Sequence, residues 1–378
     1  MQTGWSGALD GKPPLPLDGR CRVTGLKLPP TDSERPTLKT IAAATGLAIA
    51  TVSRALKDAP DIGEDTKKRV RETAARLGYR PNRAGVRLRT GKTNVIALVL
   101  STEADVMNHT SKLLYSIAAA LRGTAYHLVV TPFFADQDPM DPVRYIVETG
   151  SADGVVINQT QPDDPRVRYL ADHGFPFVTH GRTDMGLNHP YFDFDNEEFA
   201  RIGVRELVKR GRKRLLLIPP PRAHSYARHM ITGFADEAAL LGVTFEVVEE
   251  VNSDSAASAV EAAVRARMQR DPKIDGIVCG STTSAMAAVA GAELAGLTIV
   301  RDFDLVAKEA ISFLHRFRRG IIVIKEDVGE AGNFIAHALM AAIERRAPEQ
   351  GQFLERPTGG DDGLNTGTQS GLSTGEHT

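Results

Sequence analysis

Two kinds of hydrophobic pattern divide the chain. From Thr37 onward, apolar positions recur at helical spacing in short units: Leu38, Ile41 and Ala42 stand at i, i+3 and i+4 behind a Thr37 N-cap, and Gly46 is placed to end the helix. A second helix over Ile49–Lys57 puts Val52 and Leu56 on one face and Thr51, Ser53 and Arg54 elsewhere. The turn Thr45-Gly46-Leu47-Ala48 between them predicts a helix-turn-helix. A third helix, Glu64–Leu77, starts with acidic Glu64 and Asp65, turns Val70, Ala74 and Leu77 inward, and stops at Gly78. The following RAGVRLRTGKT has room for one or two helical turns carrying Val86 and Leu88, too short to hold a helix alone.

From Asn94 to about Arg346 the pattern changes to short apolar runs alternating with longer amphipathic segments. NVIALVL, HLVVTPF, DGVVINQ, PFVTHG, RLLLIPP, TFEVVEE, DGIVCG and DFDLVAK read as buried parallel strands, with helices between them such as Ser111–Arg122 and Asn196–Lys209. That alternation predicts α/β, doubly wound sheets. About 250 residues of such units exceed one sheet, so two lobes are expected, with a ligand cleft at the strand C-termini.

Composition narrows the class. The 378 residues are 42% hydrophobic and 25% charged, ordinary for a folded protein, and no apolar run approaches the ~20 residues of a membrane span. Residues 1–36 and 356–378 are Gly-, Pro- and Asp-rich or Gly- and Thr-rich and are expected to be disordered. Cys21 and Cys279 form no CxxC or Cys/His cluster, and the N-terminus has no export signal, so a reducing, cytoplasmic setting without zinc is expected. Charge is unevenly spread: residues 37–92 hold 13 Lys/Arg against 5 Asp/Glu, leaving the rest of a chain of net charge −1 clearly acidic. The basic segment is suited to phosphates, and the acidic remainder avoids non-specific contact with them.

The stretch from TLKTIAAATGLAIATVSRAL through LGYRPNRAG to the apolar strand after TGKT resembles the N-terminal portion of the LacI/GalR family of bacterial transcriptional regulators. The likeness implies an all-α helix-turn-helix DNA-binding domain (37–81), a hinge (82–92) and a two-lobe core similar to periplasmic sugar-binding proteins (93–355). On this reading the second helix enters the major groove. There Ile49 and Ala50 offer apolar contact to thymine methyls, and Arg54 either pairs with a guanine, worth ~1–3 kcal/mol of discrimination, or contacts a phosphate. Thr51, Ser53 and Asn82 position phosphates, with Thr37 and Arg83 in the same interface. The resemblance further implies that the hinge folds when two subunits lie side by side on DNA and that Leu88 wedges into the minor groove, unless Leu88 is only a linker residue. Two departures stand out: Ala48 replaces the usual serine N-cap, and Gly85 loosens the hinge by ~1 kcal/mol.

For the core, the resemblance places effector contacts at strand ends: near Ser101 to Glu103, at Gly181 and Arg182, at Arg228 before ITGF, at Ser281 and Thr282, and at Lys308 and Glu309. Met230 stands where the family has an arginine, Thr282 where it has an aspartate, and Ala307-Lys308-Glu309-Ala310 where it has Gly-Phe-Asp-Asp, so the effector differs from the family's common hexoses or the pocket belongs to its own subfamily. Polar groups in a cleft with few aromatics suit a sugar or polyol. Asp193 and Asp195 in YFDFDNEE read as a helix cap and a crossing between lobes rather than an acid/base pair, and His224 with His229 lacks a third metal ligand. The GKT at Gly91–Thr93 leads into a strand, which excludes a phosphate-cradling P-loop. The expected protein is a sequence-specific transcriptional regulator and not an enzyme. It needs no cofactor or metal and works as a homodimer or dimer of dimers on pseudo-palindromic operator DNA, as a repressor released by its effector or one needing a co-repressor. The alternative is a two-lobe solute-binding protein or small-molecule enzyme. Lack of an export signal and of any nucleophile, paired-acid or metal constellation counts against it.

Overall fold

The computed structural model describes residues 36–79, 87, 91–102, 107–134, 136–346, 351–361 and 363. The expected leader up to residue 35, most of the hinge with Asn82, Arg83 and Leu88, and Glu103, Cys21 and the tail from 364 lie outside the described residues. The chain divides between Val86 and Arg87 into two units.

Among its described residues the first unit holds three helices, α1 (Leu38–Thr45), α2 (Ile49–Ala55) and α3 (Glu64–Arg76). Thr37 caps α1 through a capping box with Thr40, and Gly46 ends it in the left-handed conformation at φ 67°. Ile41, Ala42, Val52, Ala55, Val70 and Ala74 form its core, with Leu38, Leu56, Leu77 and Tyr79 packed around it. At α2 the N-cap is Ala48, which supplies no side-chain hydrogen bond to the first turn.

The second unit is built on two parallel sheets. The first lobe contains β1 (Val95–Ser101), β2 (His127–Phe133), β3 (Gly154–Asn158), β4 (Phe177–His180), β5 (Tyr191–Phe194) and β11 (Gln352–Glu355), in the order β11-β5-β4-β3-β1-β2. The second contains β6 (Arg214–Ile218), β7 (Thr244–Val247), β8 (Gly276–Cys279), β9 (Asp304–Glu309) and β10 (Ile321–Lys325), in the order β10-β9-β8-β6-β7. Each lobe therefore has a switch in winding direction, between β1 and β3 in one and between β6 and β8 in the other, the place where open α/β sheets leave a crevice.

Alternation along the strands feeds both faces. Ile96 and Leu98 of β1 pack under α4 (Met107–Ala120) and α12 (Val328–Ile343), while Ala97 and Val99 pack under α5 (Met140–Thr149) and α6 (Pro165–Asp172). In the second lobe, Leu215 and Leu217 face α7 (Asn196–Lys209) and α8 (Ser225–Leu240). Leu216 and Ile218 face α9 (Ala257–Arg270), α10 (Thr282–Leu294) and the short α11 (Leu314–Phe317). Helices α7 and α8 approach closely at Gly233, where a Cβ would lie 2.2 Å from the Glu197 carbonyl oxygen. The chain passes between lobes after β5, after β10, and after β11, where Asp361 pairs with Val323.

Three expectations need correction. HLVVTPF and TFEVVEE are parallel strands but not buried ones: β2 and β7 are sheet edges, covered on fewer sides, and Val129 and Val130 are exposed. The helix expected at Ser111–Arg122 runs four residues earlier, from Met107. The sheets also include β10 and β11, which the hydrophobic pattern had not singled out.

Candidate functional site

In the first unit, α2 presents an exposed surface. Ile49, Ala50 and Arg54 are exposed, and Thr51 and Ser53 are half-buried beside them. Helical spacing brings the exposed positions 49, 50 and 54 onto neighbouring turns while Val52 and Ala55 are buried in the core. Arg54 is ion-paired with Asp61, and Arg71 with Asp58, so part of the basic surface carries its own carboxylates. The Thr37 hydroxyl is occupied in the α1 cap.

In the second unit, a cavity of about 440 Å³ opens between the lobes, within the ~300–1,000 Å³ range of small-ligand sites. Its walls are residues at and just past the strand ends: Asn158 at the end of β3 and Gln159 after it, His180 at the end of β4 and Gly181 after it, Asp193 and Phe194 on β5, Gly280 to Thr283 after β8, Lys308 on β9 and Glu326 after β10. His109 of α4, Asn196 of α7, Tyr226 of α8 and the loop residues Ser253 and Asp254 add to it, with Met286, Ile311 and Phe313 as apolar lining. Gly181 is required here: at φ 106° it lies so close to Thr160 that a Cβ would sit 2.4 Å from Oγ1.

The polar end is a charge network. Lys308 Nζ lies 3.1 Å from Glu326 Oε2 and 3.2 Å from Asn196 Oδ1, and stands 5.2 Å from the centre of the Phe194 ring. His109 Nε2 is 3.2 Å from Glu326 Oε1. Burial opposes ionisation of Glu326, but Lys308 and His109 together hold its carboxyl well below the usual range. His180 is pushed down to about 3 by burial and by the neighbouring His109, so its imidazole is neutral at physiological pH. Asp193 goes the other way: burial pushes it up to about 7, although Arg182 Nε is 3.3 Å from Oδ2.

A raised folded-state pKa means that the folded protein holds a proton the unfolded chain has released, so Asp193 costs stability progressively as pH rises from about 4 through 7. Replacing it in Asp193→Asn is therefore expected to flatten the stability profile over that window and to narrow or reverse any deficit of the variant at pH 8 relative to pH 4. Denaturant titrations at both pH values check this; equal deficits at the two would contradict it.

His109, His180 and Glu326 also bring three metal-ligating atoms within 4.8 Å of one another. The donor set suits a transition metal, but the Lys308 ammonium already sits on the same carboxylate and supplies its countercharge. A divalent ion would have to bind against that positive charge.

Of the residues expected from sequence, Gly181, Ser281, Thr282 and Lys308 line the cavity, and Ser281 also caps α10. Ser101 is buried at the end of β1 outside the lining. Arg182 is ion-paired with Asp193 and is not part of the lining, and Arg228 is ion-paired with Asp184. Glu309 is buried and accepts hydrogen bonds from the amides of Phe313 and Leu314, both at 2.6 Å. Asp195 caps α7 by accepting from the Glu198 amide, as its position at a strand end implied, while its neighbour Asp193 turns into the cavity. Asn158, Gln159, His180, Asp193 and Glu326 were not among the expected contacts. Their shared signal is position, each at or just past the C-terminal end of a strand.

Two domain families match the two units in order. Residues 37–82 match the family described as bacterial regulatory proteins, lacI family, and residues 93–319 match periplasmic binding proteins and sugar binding domain of LacI family. The HTH-type transcriptional regulator AglR of Rhizobium meliloti (strain 1021) is 30% identical over 321 residues, covering 83% of this chain and 90% of that protein. RafR of Escherichia coli, also an HTH-type transcriptional regulator, is 36% identical over 201 residues, covering 53% of this chain and 60% of its own length. Among solved structures, the lac repressor dimer bound to operator and the anti-inducer ONPF superposes with a TM-score of 0.77 at 19% identity, covering 87% of this chain and 99% of that one. The transcriptional regulator CelR-cellobiose complex gives 0.63 at 22%, covering 86% and 98%. The chain belongs to the LacI family of bacterial transcriptional regulators, with a helix-turn-helix unit and a periplasmic-binding-protein-like core of two parallel sheets. No helix among the described residues is long and apolar enough to cross a membrane.

Proposed function

We propose that the protein is an operator-binding repressor, acting as a homodimer, whose hold on a pseudo-palindromic site is released by a neutral sugar or polyol in the cavity between the lobes. The observation that carries the effector class is a set of buried acceptors. Asn158 Oδ1, Asp193 Oδ2 and Glu326 Oε2 are buried without a hydrogen-bond donor of acceptable geometry, and only the two carboxylates have a cation nearby. Leaving an acceptor such as Asn158 Oδ1 unpaired costs about 1–3 kcal/mol, and a ligand rich in hydroxyls supplies that donor and adds donors to the two carboxylate oxygens, which have only an ion-pair contact each. Tyr226, Met286, Ile311 and Phe313 offer the apolar surface that a sugar ring's C–H faces need. The relatives fit this reading, since one solved neighbour is a complex with cellobiose.

On the DNA side, Ile49, Ala50 and Arg54 read base edges, while Thr37, Thr51, Ser53, Asn82 and Arg83 hold the backbone and Leu88 enters the minor groove. Asp61 then competes with DNA for Arg54. Asp61→Asn is expected to raise operator affinity by roughly three- to tenfold at low salt, by freeing the guanidinium and removing a repulsive charge. The gain should shrink as salt increases; a loss of affinity in an anisotropy titration would count against this role of Arg54.

The function is tested by selecting from a randomised duplex library at fixed salt, then titrating the selected site with glucose, maltose, cellobiose, raffinose and mannitol. A two-fold symmetric site that one compound weakens about 5- to 150-fold is expected. Tightening by a compound would assign a co-repressor, and no sequence selection at any salt would overturn the reading.

A further inference from the structure

The loop after β3 carries a feature that the cavity alone does not explain. Gln159, a lining residue, has φ 51°, a backbone region that residues other than glycine rarely adopt. Such a conformation persists only where the surroundings over-determine it. Here the constraint comes from below. Arg166 Nη2 donates to the carbonyl of Asn158 at 3.2 Å and to that of Gln159 at 3.0 Å. The same guanidinium pairs with Asp164 through Nε at 3.0 Å and Nη2 at 2.7 Å. Asp164 Oδ2 also accepts the Gln161 amide at 3.0 Å, closing the loop on itself. Both side chains are almost wholly buried, and neither lines the cavity.

The next carbonyl points elsewhere. Thr160 O accepts the Ser225 amide at 2.8 Å, from the first residue of α8 in the other lobe. Three successive carbonyls are thus committed: two to Arg166, which fixes the peptides carrying Asn158 and Gln159, and the third to the opposite lobe. Thr160 Oγ1 further donates to the Arg182 carbonyl at 3.1 Å, next to the cavity residue Gly181.

We propose that Arg166 and Asp164 are positioning residues of the effector site: the buried pair holds the 158–162 loop so that Asn158 and Gln159 meet the effector while Thr160 docks on the second lobe, making ligand contact and lobe contact one rigid unit. This rests on the cavity being the effector site. An arginine is needed because its planar fork serves the carboxylate and two carbonyls together, which a lysine ammonium cannot reproduce.

The test uses the full chain with Arg166→Lys, and with Asp164→Asn should the first fail to fold. In the ligand-free protein, amide exchange is expected to speed up at least tenfold at Ser225 and Gln161 while Leu216 and Val278 in the second sheet keep their protection. Unchanged protection at Ser225, or a uniform rise across both sheets, would overturn the proposal. In parallel, calorimetry with whichever of glucose, maltose, cellobiose, raffinose or mannitol releases the wild-type operator complex should show at least tenfold weaker binding, with saccharide-free operator affinity within twofold of wild type. Equal losses in both affinities would mark a structural role only and overturn the proposal. If none of these compounds releases the wild type, that result counts against the effector reading, and the exchange data decide the positioning role by themselves.

Discussion

A chain beginning at Thr93 will bind its saccharide with the affinity of the full protein and will lose sequence-selective DNA binding altogether. The reason is physical separation of the two chemistries. Every base-reading and phosphate-positioning side chain proposed above lies before residue 93, as does the 13-to-5 excess of basic over acidic residues, whereas every cavity residue lies after it. The two units have separate cores: Ile41, Val52 and Val70 pack among themselves, and none of the core clusters of the second unit includes a residue before Val95. Specific operator binding typically exceeds non-specific binding by 10³–10⁷, so the loss should cover the full measurable range. Anisotropy on the selected duplex and calorimetry with the saccharide check the two halves. Retained operator selectivity in the trimmed chain would place the reading head elsewhere, and loss of saccharide binding would show that the site needs the first unit.

The second large effect is expected at Lys308. Its ammonium is the nearest cation to a carboxylate that is almost completely removed from water, and Lys308→Met would leave Glu326 with His109 alone. Breaking a buried pair from one side costs about 3–5 kcal/mol, because the remaining charge keeps its desolvation penalty. For a core of this size that corresponds to a drop of about 6–20 °C in Tm. The pH dependence gives the mechanism away. In the wild type the Glu326 pKa is depressed, so its contribution is present above the unfolded value of about 4.5 and is lost as pH falls below it. In the variant the carboxyl is pushed upward instead, and its penalty grows with pH. The gap between the two proteins should therefore be widest at pH 7–8 and narrow towards pH 4. Adding Glu326→Gln to the variant should recover most of the loss, since the orphaned charge is gone. A deficit that is small, or constant from pH 4 to 8, would mean that the ion pair is not what holds this end of the cavity.

Local signals in the sequence specified the first unit closely. Thr37 and Gly46 bound α1, Glu64 opens α3, and the buried faces fall at the periodic positions, because caps and 3.6-residue spacing act within a few residues. The strands of the core were legible for the same reason, as short apolar runs. IIVIK, an apolar run of the same length as RLLLI, was not among the expected strands, and neither was Glu326, the residue that follows it, among the expected contacts. Exposure of β2 was not legible either, since an edge strand and a central one share the same composition and differ only in neighbours.

The cavity was legible in its location but not in its chemistry. Strand C-termini at the two switch points were the expected place, and Ser281 and Thr282 are there. Which strand-end side chains turn inward depends on partners far away in sequence: Glu309 turns back onto the amides of Phe313 and Leu314, while Lys308, one residue earlier, reaches Glu326 and Asn196. Arg228 of the second lobe is taken by Asp184 of the first, a pairing between lobes that no spacing rule predicts. His109 and Glu326 meet across 217 positions, and only the fold brings them together.

Reciprocal coupling on the full chain tests the central claim most directly: the operator dissociation constant measured with and without saturating saccharide, and the saccharide dissociation constant measured with and without saturating operator. If the cavity controls the DNA-binding unit, both ratios must be the same number, and a value of about 5 to 150 is expected. A saccharide that binds the cavity while leaving operator affinity unchanged would contradict the account, because the two units would then share a chain without sharing an equilibrium.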